Sequence, residues 1–290
     1  MQTHPSLSIA DHLQSLRLIL QPWRAAGEKI AFVPTMGALH DGHLSLIRLA
    51  KAKKARVVVS IFVNPRQFAP NEDFATYPRT EEEDIAKIAE AGGDLAYLPS
   101  ADLMYPQGYQ TVVSVPRLAE PLDGASRPGF FDGIATVVTK LFNQVRPNIA
   151  IFGEKDFQQL LVIRQMVADL NLDIEVVGAP IVREADGLAM SSRNQYLSPE
   201  ERATAGHLNR VMKEALEGLK AGGDVADVLE QARTNMEAAG LAPIDYLELR
   251  RLPDLTPLTK GVLSKEDQGQ ARLFAAVMLG RTRLIDNMGI

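Results

Sequence analysis

The sequence predicts an α/β fold in which a parallel sheet carries helices on its faces, followed by a smaller α+β domain. Three observations predict it. Two runs, 30–33 (IAFV) and 56–63 (RVVVSIFV), are apolar almost without alternation, the pattern of strands buried on both faces of a parallel sheet. Each ends in a Pro-containing loop that leads into a segment of helical character. Beyond about residue 198 the pattern changes to two amphipathic helices and then strands, which sets a boundary near residue 182: residues 1–181 form the sheet domain and 182–290 the smaller one.

Composition bounds the function. The chain has 290 residues, 46% hydrophobic and 23% charged, with a formal net charge of −5, which suits two domains or one large one. It contains no Cys, which excludes a disulfide framework, a thiolate nucleophile and a zinc ribbon, and which accords with a reducing cytoplasm. Residues 1–11 lack the basic start and apolar run of a signal peptide, and no segment approaches the roughly 18 apolar residues of a membrane span. A soluble, cytoplasmic protein is expected. Mild acidity without basic clusters argues against a nucleic-acid surface but leaves room for a local basic pocket.

In chain order, residues 9–26 carry a helical apolar stripe ended by Gly27. The first strand, 30–33, follows, then the loop Pro34 to Asp41 and a helix with apolar Leu44, Leu46, Ile47, Leu49 and Ala50. The strand 56–63 leads to Asn64, Pro65, Arg66 and Gln67; ligands in open α/β sheets bind beyond the carboxyl ends of strands, so Asn64 and Gln67 are candidates for a small polar substrate, or plain turn residues. Thr80 opens a helix whose Glu81, Glu82 and Glu83 complement the dipole and read as structural. A strand at 94–98 and a short strand candidate at 111–115 precede a long loop, 116–133, in which Arg127 has the geometry to hold a carboxylate or phosphate bidentately, or is an exposed surface residue. A helix at 134–145 and a strand at 149–152 lead to Gly153, Glu154, Lys155 and Asp156, then a helix to Leu170 that carries Gln159 in its first turn. Residues 174–177 and 180–183 read as the last strand of this half. The loop Met190, Ser191, Ser192, Arg193 offers two hydroxyls and a guanidinium for a charged leaving group, and Ser198-Pro199-Glu200-Glu201 marks a new helix. Helices at about 199–220 and 224–239 are followed by strands near 244–249, 272–277 and 282–285, with 258–270 expected as an exposed turn region.

The most informative stretch is HDGH. His40 and His43 lie three apart where a helix begins, so both imidazoles can face one site beside the helix's unpaired N–H groups. Gly42 leaves the backbone open to an approaching phosphate. The pair can donate to phosphate oxygens as negative charge builds on them. A zinc site and a purely structural role are the other readings, although HxGH is not the HExxH spacing.

An HxGH loop after the first strand and a Ser/Arg loop after the last resemble the nucleotidyltransferase superfamily, which includes the class I aminoacyl-tRNA synthetases. Six collinear stretches narrow this: PTMGALHDGHLSLI, SIFVNPRQF, YPRT, SRPGFFDG, GEKDFQQL and DGLAMSSRNQYLS are together similar to the pantoate–β-alanine ligase family. The resemblance implies a Rossmann-like parallel sheet, and activation of the pantoate carboxylate by Mg-ATP to pantoyl adenylate, then attack by the β-alanine amine to release pantothenate and AMP. It implies that His40, His43, Lys155 and Arg193 are catalytic, with His43 the proton donor. Nucleotide binding falls to Met36, Gly37, Ala38, Leu39, His40, Asp41, Gly42 and His43, to Gly153, Glu154, Lys155 and Asp156, and to Val182, Met190, Ser191, Ser192 and Arg193. Gln67 and Gln159, with Asn64 and Arg127, would take pantoate and β-alanine. No acidic cluster suggests a metal cage, so Mg²⁺ is expected to arrive on ATP. A homodimer, closure of the small domain through the Met190 loop, and no nucleic-acid or membrane partner are implied as well. Two positions depart from the common bacterial pattern: Phe130 stands where His is usual and Arg66 where Met or Thr is, so Arg66 is expected simply to point outward. Other acid-activating nucleotidyltransferases and a non-catalytic nucleotide-binding module are the competing readings; a tRNA synthetase is disfavoured because no basic appended domain is visible.

Overall fold

The computed structural model describes residues 7–69 and 72–290. Residues 1–6, the head of the stretch read as free of a leader, lie outside the described residues. The chain divides into two compact units, Met1–Glu154 with Gln158–Pro180, and Lys155–Phe157 with Ile181–Ile290. Among the described residues no helix is long and apolar enough to cross a membrane.

The first part of the chain runs β1 (Ser8–Ala10), α1 (Leu13–Ala25), β2 (Ile30–Thr35), α2 (Asp41–Ala52), β3 (Arg56–Ile61), a 3₁₀ turn at Pro65–Gln67, α3 (Glu81–Glu90), β4 (Leu95–Tyr97), α4 (Ala101–Met104), α5 (Pro116–Ala119), α6 (Asp123–Ser126), α7 (Phe130–Val145), β5 (Ile149–Gly153), a 3₁₀ turn at Glu154–Asp156, α8 (Phe157–Asp169) and β6 (Glu175–Ala179). The six strands form one sheet in the order β1-β4-β3-β2-β5-β6, every pair parallel. Val57, Val58 and Val59 are fully buried because helices cover both faces. On one face Ala31, Val33, Val57 and Val59 pack with Ile47 and Ala50 of α2 and Ile88 of α3. On the other, Phe32 and Phe152 meet Phe142 of α7 edge-on at ring separations of 6.3 and 6.4 Å.

Local differences from the sequence reading have local causes. The stripe at 9–26 is a strand and then a helix, because Ile9 sits in β1 and pairs with Ala96. Residues 111–115 join no strand among the described residues: Val113 N–H donates to the Thr136 hydroxyl at 2.9 Å instead of to a neighbouring strand. The expected loop 116–133 holds α5, α6 and the first turn of α7, which starts at Phe130 rather than Ile134. The sheet ends with β6, so 180–183 is not its continuation; Arg183 bridges Ala189 instead.

The second unit contains α9 (Pro199–Ala205), α10 (His207–Lys220), α11 (Val225–Ala238), β7 (Ile244–Arg251), β8 (Thr256–Pro257), α12 (Lys265–Gln270), β9 (Ala271–Leu279) and β10 (Thr282–Gly289). Its antiparallel sheet has the order β10-β9-β7-β8, and its core joins Leu208, Met212 and Leu219 of α10 to Leu247, Leu249, Leu273 and Val277. The single helix expected at 199–220 is two, parted at Gly206, where a Cβ would meet an Asp186 carboxylate oxygen at 2.5 Å. The expected turn region 258–270 includes α12, and Leu263 within it is buried at 7% exposure.

Gly133 in the first turn of α7 lets that helix touch the Pro65–Gln67 turn. A Cβ there would lie 2.2 Å from the Arg66 carbonyl oxygen, a backbone atom with little room to yield. Gly133→Ala is therefore expected to destabilise the protein by about 1–3 kcal/mol, read as a lower urea midpoint at unchanged slope; a midpoint equal to that of the wild type would contradict this packing.

Candidate active site

β2 runs out at Thr35, whose hydroxyl donates to the Ser60 carbonyl at 2.7 Å and accepts from Gly37 N–H at 3.2 Å. The chain then takes two left-handed residues, Gly37 at φ +84° and Ala38 at φ +50°. For Ala38 that conformation costs about 1–2 kcal/mol, so the loop needs support from outside. Asp84 of α3 supplies it: its carboxylate accepts Ala38 N–H at 2.8 Å and Leu39 N–H at 2.7 Å. Leu39 is buried, and His40 becomes the N-cap of α2.

The imidazoles of His40 and His43 lie 4.1 Å apart between centroids, tilted by 41°. Gly42 N–H donates to His40 Nδ1 at 3.1 Å, and His40 N–H points to His43 Nδ1 at 3.4 Å. A ring nitrogen that accepts from the backbone carries no proton, so in each neutral imidazole the proton sits on Nε2. Both Nε2–H groups are thereby fixed as donors.

The Pro65–Gln67 turn is built around Asn64, which is 1% exposed. Its Nδ2 donates to Gln67 Oε1 at 3.0 Å and to Gly133 O at 3.2 Å, while its Oδ1 accepts from Arg66 N–H at 3.3 Å and from the Tyr105 hydroxyl at 2.8 Å. These four bonds use the full capacity of the amide. Asn64 therefore holds the turn with all four of its hydrogen-bonding sites engaged. Burial, first, and the neighbouring Tyr109 push the Tyr105 phenol well above its usual pKa, against the opposing pull of Arg66, so it stays a neutral donor to Asn64. Gln67 Nε2 approaches Met36 Sδ at 3.1 Å, which ties this turn to the His loop.

Arg127 has the bidentate geometry expected of it, but the carboxylate is the chain's own. Its Nε and a terminal nitrogen each meet a Glu72 oxygen at 2.6 Å, and the same nitrogen donates to Gln67 O at 3.2 Å. Phe130 lies under this guanidinium at 3.5 Å. Arg66 does not simply point outward: its guanidinium lies over the rings of Tyr105 and Tyr109 at 5.5 and 5.6 Å.

Gly153 and Glu154 fall in the first unit and Lys155 and Asp156 in the second. Gln159 is half-buried in the first turn of α8, whereas its neighbour Gln158 is spent on backbone groups of Asp123, Leu118 and Pro121. Within the second unit, Lys155 O accepts from Asn287 Nδ2 of β10 at 2.8 Å, and Lys155 Nζ lies 3.6 Å from Asp156 Oδ1. Val182 O accepts from Met190 N–H at 3.0 Å, closing a narrow hairpin that turns at Gly187, φ +92°. Arg183 at its base forms a bidentate pair with buried Asp286 at 2.7 and 2.9 Å. Ser191 then caps a 3₁₀ turn, Ser192–Tyr196, through Arg193 N–H at 3.3 Å. Asn194 fastens that turn to Glu184 Oε1 at 2.8 Å and to Ala189 O at 3.1 Å, and Arg202 pairs with Glu184 at 2.6 Å and Asp186 at 2.5 Å. The Arg202 hydrogen bond is the main reason the Asp186 carboxyl is held below its ordinary pKa.

Asp84, Glu72, Tyr105 and Asn287 escaped the sequence reading. Asp84 stands at the end of the acidic run Glu81–Glu82–Glu83, where one buried carboxylate reads like three exposed ones; the other three act on partners too distant in sequence for spacing to reveal.

A family model described as pantoate-beta-alanine ligase matches residues 8–289. A pantothenate synthetase of Rhodospirillum rubrum is 52% identical over 285 residues, 98% of this chain and 99% of its own, and one of Caulobacter vibrioides is 50% identical over 275 residues, 95% of each. A crystal structure of pantothenate synthetase from Thermus thermophilus superposes with a TM-score of 0.89 at 45% identity, covering 97% of this chain and 98% of that one. The Francisella tularensis pantoate-beta-alanine ligase, complexed with beta-gamma ATP and beta-alanine, gives 0.81 at 35% identity over 98% and 97%. The family model takes in all but the two ends of the chain, the likeness in sequence and in fold extends over nearly the full length of both partners, and the chain belongs to the pantoate–β-alanine ligase family.

Proposed function

We propose that this chain joins pantoate to β-alanine in two steps at the expense of ATP. In the first, a pantoate carboxylate oxygen attacks the α-phosphorus, the bond to the bridging oxygen breaks, and pyrophosphate leaves with that electron pair. In the second, the β-alanine amine attacks the acyl carbon of the adenylate, the acyl–oxygen bond breaks to release AMP, and the amine loses a proton as the amide forms.

The observation that carries this reading is the His40/His43 pair, with both Nδ1 atoms engaged by backbone N–H and both Nε2–H groups thereby fixed as donors. Donors fixed in advance stabilise phosphate charge in the transition state without reorganising. Met36–His43 and Gly153–Asp156 would bind the nucleotide, Lys155 and Arg193 adding positive charge and Val182 and Met190–Ser192 lining the same ligand. Gln67 and Gln159 would orient pantoate, with β-alanine also near Gln67; Arg127, engaged by Glu72, would support the Gln67 backbone rather than hold a substrate. Mg²⁺ supplies charge neutralisation when bound. That cation is read as one carried by the triphosphate, which keeps several of its waters. A cytoplasmic homodimer completes the reading.

The experiment that tests it is pyrophosphate exchange into ATP with pantoate and Mg²⁺ present and β-alanine absent. Exchange is expected to require pantoate and to fall by about 10²–10³-fold in His43→Ala; a folded, ATP-binding wild type without exchange would overturn the adenylate step. In the complete reaction AMP release is expected to depend on β-alanine, with glycine and γ-aminobutyrate poor replacements, and equal rates with all three would refute the acceptor assignment. Chelation by EDTA is expected to stop exchange and added Mg²⁺ to restore it, with the thermal midpoint of the nucleotide-free protein unmoved; a midpoint that drops on chelation would point to a resident metal.

A further inference from the structure

The path of residues 37–39 is what aims the two imidazoles. Since each Nδ1 is already occupied locally, the direction of each Nε2–H follows the backbone that carries the ring. That backbone includes Ala38 in the left-handed region, a conformation that persists only where its surroundings determine it. The surroundings are α3. Asp84 is fully buried, and its two oxygens divide the work: Oδ2 accepts Ala38 N–H at 2.8 Å and the Thr80 hydroxyl at 3.1 Å, and Oδ1 accepts Leu39 N–H at 2.7 Å. One turn on, Lys87 Nζ donates to Leu39 O at 2.9 Å. Both polar groups of the residue before His40 are therefore held by one helix, and that helix is rooted in the core through fully buried Ile88. Gly37 fits the same arrangement, since a Cβ there would stand 3.1 Å from Asp84 Oδ2.

We infer that Asp84, assisted by Lys87, is the positioning residue that sets the direction of the His40 and His43 donors. This rests on the reading of those histidines as phosphate donors. A carboxylate is required because both of its oxygens accept; an Asn has one accepting oxygen and would turn its own NH₂ toward a backbone N–H.

The test uses Asp84→Asn in the full chain with ¹⁵N-labelled histidine, of which the chain has five. The Nε2 resonances of His40 and His43 are expected to shift while those of His12 and His207 stay in place. The kcat of pantoate-dependent exchange is expected to fall about ten- to a hundredfold, with KM for ATP changed less than about threefold. Adding Ala38→Gly, which allows the left-handed path without a side-chain penalty, is expected to return part of the rate. Unmoved His40 and His43 resonances in folded Asp84→Asn, or a loss confined to KM, would overturn the inference. Should Asp84→Asn fail to fold, Lys87→Met, which keeps the buried carboxylate, is measured in the same way, and unmoved resonances there count equally against it. Absence of exchange in the wild type would defeat the functional reading instead, while the resonances still decide the positioning role.

Discussion

The turn from β2 into α2 runs through two left-handed residues, Gly37 and Ala38, and the placement of the histidine pair depends on how that path is held. The cost falls on Ala38, and the local environment is arranged around containing it. The Thr35 hydroxyl closes the turn from the strand side, Asp84 and Lys87 close it from α3, and Leu39 anchors it in the core. His40 and His43 inherit their placement from these contacts. A helix terminus alone would contribute about 0.3–1 kcal/mol to an anion; side-chain donors held in place can contribute several times that.

The Gln67 turn solves a similar problem with different chemistry. One buried amide, Asn64, satisfies a side chain, two backbone groups and a phenol at once, and Gly133 permits the helix beneath to come close enough for this. Arg127 and Glu72 neutralise each other beside it. In both places the residues expected to meet the substrate are supported by a buried polar side chain, Asp84 or Asn64, that holds several groups at once.

Much of this was legible in advance, and the boundary of legibility has a physical form. The central strands and the start of α2 were readable because continuous burial and helix initiation leave marks within a few residues. β1 was missed because three residues at a sheet edge carry too little pattern beside a helical stripe. Residues 111–115 (TVVSV) looked like a strand because they are rich in β-branched side chains, a preference that says nothing about the presence of a partner. His40 and His43 were singled out by motif and Gln67 by its place beyond a strand, whereas Asp84 and Tyr105 act across 45 and 41 residues, a distance that a single sequence does not encode as spacing. Arg127 and Asn64 were picked for their hydrogen-bonding capacity, and the partners that engage it inside the protein, Glu72 and Tyr105 among them, were not visible in the sequence.

The bond from Asn287 to the Lys155 carbonyl bears on how the molecule comes into being. The lysine lies just past the middle of the chain and its tether 132 residues later, almost at the end. During synthesis the parallel sheet can assemble as its strands emerge, but the turn that carries Lys155 lacks this partner until β10 has left the ribosome. The His loop, by contrast, has its Asp84 partner only 45 residues further on. A chain cut short before β10 would carry the residues that hold the histidine loop and lack the bond that holds the Lys155 carbonyl.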